Sequence, residues 1–157
     1  KRIVRGVAYS RDEAKITLLG LPDHPGVSSR IFSALADANV NVDMIVQSRS
    51  KDSAVANMDF TVGKRDAGKA LEIVNAAKAD IGFEDAKVDE DVAKVSVIGV
   101  GMKSHVGVAK TMFSALAEKG VNIQAISTSE IKISVLIPSA YTELAVRALH
   151  GAYGLDA

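Results

Sequence analysis

The chain has 157 residues, enough for one ordinary domain or two small ones and for a sizeable buried core. Lys plus Arg number 19 and Asp plus Glu also number 19, so no net positive field draws the chain to nucleic acid or anionic lipid. With no cysteine there is no disulfide framework, thiolate nucleophile or zinc-thiolate site, and no apolar run approaches the ~20 residues that span a bilayer.

In chain order, Ile3–Ser10 (IVRGVAYS) is a first β-rich run and Lys15–Leu21 (KITLLGL) a second. The second ends in Pro22-Asp23-His24-Pro25-Gly26, a loop punctuated by Pro and Gly. Val27, Ile31, Leu35 and Ala38 then recur at helical spacing, which predicts a helix to about Ala38 with Asn39 near its C-terminal end. Val42–Ser50 and Ala54–Val62 are extended runs joined by the polar turn Lys51-Asp52-Ser53, a hairpin. Ala67, Leu71, Val74 and Ala77 mark a second helix, and Phe83–Val92 supplies a further strand. Beyond it come a strand at Lys94–Gly99, a helix at Gly107–Glu118, strands at Val121–Ser127 and Lys132–Ile137, and a helix at Tyr141–His150.

An internal repeat organises these elements. Gly26 to Asn41 (GVSSRIFSALADANVN) returns 81 positions later as Gly107 to Asn122 (GVAKTMFSALAEKGVN), with nine of sixteen positions identical, which chance does not produce. His24 answers His105, Val42 answers Ile123 and Ser48 answers Ser129. Each copy reads βαββαβ, the order of an α+β ferredoxin-like module with two helices on one face of a four-stranded antiparallel sheet. The second copy lacks a last strand, while the run at Ile3–Ser10 belongs to no module. The N-terminal strand is therefore expected to complete the second module. The expected division is 13–92 for the first module and 1–12 plus 93–157 for the second, the first being inserted into the second. That arrangement leaves few unpaired sheet edges.

Candidate chemistry is sparse. Gly63 to Ala70 (GKRDAGKA) has the spacing of a phosphate-binding P-loop but carries Ala70 where Ser or Thr would hold Mg²⁺, so it reads as a basic turn into a surface helix. Gly99-Val100-Gly101 begins like a dinucleotide fingerprint without its third Gly, and is expected to be a loop that lets backbone approach a ligand or partner. His24 and His105, in separate modules, make a poor metal site and are expected to make loop hydrogen bonds. Ser127, Thr128 and Ser129 are expected on a strand, with no His and Asp pair to activate them. What the modules do offer is two loop-to-helix junctions, at Gly26 and Gly107, whose first-turn N–H groups suit a carboxylate. Asp23 beside the first junction suits an ammonium, or else caps the helix or turn, and Gln47 offers an amide. Carboxylate plus ammonium describes an amino acid. Ser104 replaces Asp23 in the second copy, so the two junctions have diverged.

These residues resemble a family, the paired ACT domains that form the regulatory half of aspartate kinase. The blocks that carry the likeness in the second module are Gly101-Met102-Lys103-Ser104-His105-Val106-Gly107-Val108, Val121-Asn122-Ile123 and Ile126 to Ile137 (ISTSEIKISVLI). In the first they are Asp12-Glu13-Ala14-Lys15, Pro22 to Gly26, and Asn41 to Gln47 (NVDMIVQ). The resemblance covers essentially all of the chain, and no Lys-Phe-Gly-Gly-like nucleotide loop of a kinase half opens it. It implies a small β subunit of an α₂β₂ aspartokinase or an excised regulatory region, the latter slightly favoured by Lys1 in place of Met. It also implies a homodimer through the ACT domains, a catalytic kinase partner and no cofactor beyond allosteric threonine and/or lysine, in the cytoplasm.

The effector pocket implied by the resemblance lies between two chains. Its first half is Asp23, His24, Pro25, Gly26, Val27, Ser28, Asn41, Val42, Asp43 and Gln47; its second half, from the partner, is Val108, Ala109, Asn122 and Ile123, with Ser129 on the serine-threonine strand. Asp23 would take the effector's ammonium, amides near Gly26 to Ser28 its carboxylate, and Gln47 its side chain or carboxylate. Two positions depart from the family, Ala109 where relatives carry Thr and Val27 where they carry Glu. A stand-alone two-ACT sensor of another enzyme or of gene expression is the alternative, and the Met-Lys-Ser-His and Ser-Thr-Ser-Glu-Ile blocks speak for aspartokinase.

Overall fold

The computed structural model describes residues 3–49 and 54–155. They form two compact units, one of Asp12–Glu90 and one of 3–11 with 91–155. In the first, a strand β1 (Val4–Pro22) leads to helix α1 (Val27–Asp37), strands β2 (Val42–Arg49) and β3 (Val55–Gly63), helix α2 (Ala67–Ala76), a one-turn helix α3 (Lys78–Ile81) and strand β4 (Asp85–Gly99). The strand order in this unit is β2-β3-β1-β4. Along β1 the side chains of Ala14, Ile16 and Leu18 are fully buried while Lys15, Thr17 and Leu19 are half-buried, the period-two signature of one covered face. In register with them, Phe60 faces Ile16 and Met58 faces Leu18. Val27, Ile31 and Leu35 of α1 close this core, and Phe32 meets Phe60 edge to face with centroids 5.6 Å apart.

The second unit takes the front of β1, the back of β4, helix α4 (Val106–Glu118), strands β5 (Ala125–Thr128) and β6 (Lys132–Pro138), and helix α5 (Thr142–Ala152). Its order is β1-β4-β6-β5, again strand, helix, two strands, helix, strand when read from β4. Val95 and Val97 of β4 face Val135 and Ile133 of β6, and Met112, Leu116, Ala145 and Leu149 cover them from the helices. Both units thus have the expected α+β ferredoxin-like arrangement.

Several boundaries differ from expectation for definable reasons. The runs at Ile3–Ser10 and Lys15–Leu21 form one 19-residue strand, and those at Phe83–Val92 and Lys94–Gly99 one 15-residue strand. The polar stretch Ser10 to Glu13 interrupts apolar character without Gly or Pro, so the backbone stays extended. Conversely, the strand expected at Val121–Ser127 shrinks to β5, because the N–H of Val121 is used to close α4 on the carbonyl of Leu116 at 2.9 Å. The second helix breaks at Ala77, resumes as α3 and stops at Gly82 with φ 94°. The Lys51-Asp52-Ser53 turn and Ser50 lie outside the described residues.

Candidate functional site

The start of α1 forms an open cavity of about 440 Å³ lined by Asp23, His24, Pro25, Gly26, Ser28, Gln47 and Arg49. Gly26, the residue before the helix, has φ 95°, and no side chain caps the first turn. The first helical bond runs from the Arg30 N–H to the Gly26 carbonyl at 3.1 Å, which leaves the preceding N–H groups without an intrahelical acceptor. Such a terminus carries a partial positive charge and suits an anion. Gln47 reaches the cavity because it shares the helix-facing side of β2 with Ile45, in register with Met58 and Phe60.

Asp23 is neither a helix cap nor a bare carboxylate. Its Oδ2 accepts from Nε of Arg49 at 2.5 Å, and its own N–H is anchored on the carbonyl of Ala54 at 2.8 Å. Arg49 is the lining residue that sequence reasoning missed. The available signal was its alternation with Gln47 along one strand, which puts both side chains on one face. The neighbouring charges of Asp23 and Arg49 match the two charged ends of an amino acid, whose ammonium would compete with Arg49 for the carboxylate. His24 turns back on its own loop, Nδ1–H donating to the Pro25 carbonyl at 3.2 Å, the loop role expected of it.

Of the other predicted residues in the first unit, Val27 is directed into the core and is 4% exposed. Asn41 and Val42 line a different, largely apolar cavity of about 430 Å³ with Phe32, Ala36, Asn39, Val40 and Ile45. Asp43 is exposed on β2 and lines neither cavity.

In the second unit the repeat-equivalent junction is built differently. Helix α4 starts at Val106, so Gly107 is a helical residue rather than the residue before the helix, and His105 precedes the helix with Nδ1–H donating to the Gly101 carbonyl at 2.7 Å. The cavity here, about 490 Å³, is lined by Ile3, Val4, Ser104, His105, Val106, Gly107, Val108, Thr111 and Tyr153. Tyr153 donates its hydroxyl to the Val108 carbonyl at 2.5 Å, and burial pushes its phenol up to about 12. Ala109 and Ile123 pack half-buried against the core, and Asn122 is exposed.

Ser129 lies beyond the end of β5, off the strand expected for it. Its hydroxyl accepts from the N–H of Lys132 at 3.2 Å and its N–H donates to the Lys132 carbonyl at 2.8 Å, so it closes the β5–β6 turn. Gly99 does permit a close backbone approach, but to its own unit, since a Cβ there would lie 2.0 Å from the Ile3 carbonyl oxygen. The P-loop spacing at Gly63–Ala70 resolves into a short 3-10 turn (Lys64–Asp66) and the start of α2, where Ala67 and Ala70 are buried in the core and Gly68 and Lys69 are exposed.

Residues 15–79 and 95–153 each match the family model of the ACT domain. An aspartokinase of Pseudomonas aeruginosa is 54% identical over 155 residues, which is 99% of this chain and 37% of that protein. The ligand-free regulatory subunit of aspartate kinase from Thermus thermophilus is 45% identical with a TM-score of 0.92, over 97% of this chain and 99% of that one. A chain in the structure of aspartokinase alpha and beta subunits is 48% identical with a TM-score of 0.89, over 96% of this chain and 99% of that one.

Proposed function

Because the chain belongs to the aspartate kinase family, as its regulatory part with two ACT domains, we propose that it senses end-product amino acids and feedback-inhibits aspartate phosphorylation. The 157 residues carry the regulatory part and not the catalytic one, and they span 37% of the length of the aspartokinase they match. Inhibition therefore works on a kinase subunit or domain in the same assembly. The ligands are threonine and/or lysine rather than a cofactor, bound between the ACT domains of two copies of this chain, in the cytoplasm. Among the described residues no helix is long and apolar enough to cross a membrane.

The observation that carries this reading is the cavity at the start of α1. Uncapped N–H groups and the guanidinium of Arg49 can receive a carboxylate, Asp23 an ammonium, and Gln47 a polar side chain. An amino acid that binds one arrangement of the ACT pair more tightly shifts the population toward it, by no more than its differential affinity. That arrangement would hold the kinase inactive.

Calorimetric titration of the chain with threonine and lysine, each alone and in the presence of the other, tests the proposal alongside the molecular mass in solution. A dimer with saturable binding that Asp23→Ala, Arg49→Ala and Gln47→Ala each weaken at least tenfold supports it. Mutual enhancement of the two ligands would identify concerted control. A folded dimer giving no heat with either amino acid overturns it.

A further inference from the structure

The second unit holds another cavity, remote in the chain from either loop-to-helix junction. It measures about 370 Å³ and lies between β1 and α5, lined by Tyr9, Thr142, Glu143, Val146, Arg147 and His150. Glu143, Val146, Arg147 and His150 fall at i, i+3, i+4 and i+7, so α5 presents them on one face, and Val146 packs against the core to form an apolar floor. Tyr9 stands opposite on β1, 55% exposed, with the Arg11 guanidinium 5.3 Å above its ring.

The charges in this cavity are unspent. Glu143 precedes Arg147 by four residues, the favourable order for a helical ion pair, yet among the described residues neither side chain has an ion-pair or hydrogen-bond partner, nor does the imidazole of His150. Two opposite charges on side chains whose Cβ atoms lie about 6 Å apart, without each other as partners, are open to a ligand that carries both signs. A simple anion would meet Glu143 and a simple cation would meet Arg147. A small zwitterion satisfies both, and the cavity has room for one.

We propose that this cavity is a binding site for a small α-amino acid, its carboxylate on Arg147 and His150 and its ammonium on Glu143. The fork of the guanidinium suits a carboxylate bidentately, and Val146 with the face of Tyr9 admits a short side chain. The site depends on none of the residues of the α1 cavity.

The three histidines, His24, His105 and His150, provide one NMR reporter each for the two junction cavities and for this one through their imidazole ring signals. The whole chain is titrated with L-alanine and L-threonine, and with acetate and ethylammonium as half-ligands at constant ionic strength. The expected result is a saturable shift of the His150 signal with at least one amino acid and with neither half-ligand. Arg147→Gln should abolish that shift, and Glu143→Gln should weaken binding at least fivefold, both changes being at exposed positions that leave the fold intact. A silent His150 signal with both amino acids overturns the proposal, as does a shift that acetate reproduces or that persists in Arg147→Gln. Movement of the His24 signal alone would leave the α1 reading standing while removing this one, and the reverse pattern would do the opposite.

Discussion

The two junction glycines occupy equivalent places in the repeat but should respond to alanine with opposite signs. Gly26 sits before α1 at φ 95°, where an L side chain costs about 1–2 kcal/mol, and a Cβ there would meet nothing within 4 Å. The loss is therefore backbone strain alone, not crowding. Gly107 lies inside α4, and a Cβ there also meets open space. Alanine at that position restricts the unfolded chain and favours the helix, a gain of about 0.5–1 kcal/mol. With a urea slope near 2 kcal/mol/M, Gly26→Ala should lower the unfolding midpoint by about 0.5–1 M and Gly107→Ala should raise it by about 0.3–0.5 M. The assay is urea unfolding without ligand, followed by amide signals from each unit because two units need not unfold together. Midpoints that move in the same direction, or an unchanged midpoint for Gly26→Ala, would refute the reasoning that only the first junction demands glycine.

Three further substitutions probe other parts of the chain. Gly99→Ala forces a Cβ to within 2.0 Å of the Ile3 carbonyl oxygen, so backbone must move, and thermal unfolding should show a loss above about 2 kcal/mol; an unchanged midpoint would contradict the close approach. Ser96→Ala strips Ser134 of its buried hydroxyl partner at 2.6 Å and should cost about 1–3 kcal/mol, whereas adding Ser134→Ala should recover part of that, giving a non-zero coupling in a double-mutant cycle. Tyr153→Phe loses the bond to the Val108 carbonyl, about 1 kcal/mol at neutral pH. Because burial raises the Tyr153 phenol from 10.0 to about 12, the folded state keeps a proton that the unfolded state has released between those values. Stability from this group is complete below pH 10 and is lost as pH rises toward 12, so the gap between the parent and Tyr153→Phe should narrow there. A gap that widens would reverse the assignment.

The periodic signals in the sequence read truest where burial itself is periodic. Val27, Ile31 and Leu35 mark α1 because each lies in the core, and FSALA recurs in α4 because the same helix face packs the same way. Strand ends were harder to see, since Arg11 to Glu13 are polar for reasons of exposure and the chain stays extended through them. At the first cavity, Asp23, Gly26, Ser28 and Gln47 were legible as a group because loop, helix start and adjoining strand converge in any module of this order. Arg49 was not, because a charged residue near the end of a strand has no local mark separating a site partner from a solvated side chain. Neither was the parting of Asn41 and Val42 from that group, which follows from their position past the other end of α1, lining a cavity with Phe32 and Ile45.

Divergence between the copies bears on which junction binds a polar ligand. At positions 81 residues on, Asp23 becomes Ser104, Ser28 becomes Ala109, Gln47 becomes Thr128 and Arg49 becomes Glu130. The ion pair that crosses the first cavity cannot form in the second, and the second is instead walled by Ile3, Val4, Val106 and Val108, with Tyr153 tied to backbone. A zwitterion entering there would meet the polar side chains of Ser104, His105 and Thr111 but no carboxylate and guanidinium pair to replace the hydration of its two charged ends. Duplication with retention of the fold but loss of the charged pair thus leaves one junction able to hold an amino acid by its ends. The other starts its helix two residues earlier in the repeat, after His105, and has a largely apolar wall on which Val106 is 86% exposed. Restoring Asp at Ser104 together with Arg at Glu130 is the substitution pair that would give the second junction the charges of the first. If it acquires no affinity for the amino acid bound at the first, the backbone difference between Gly26 and His105 as the residue preceding the helix, rather than charge, sets the selectivity.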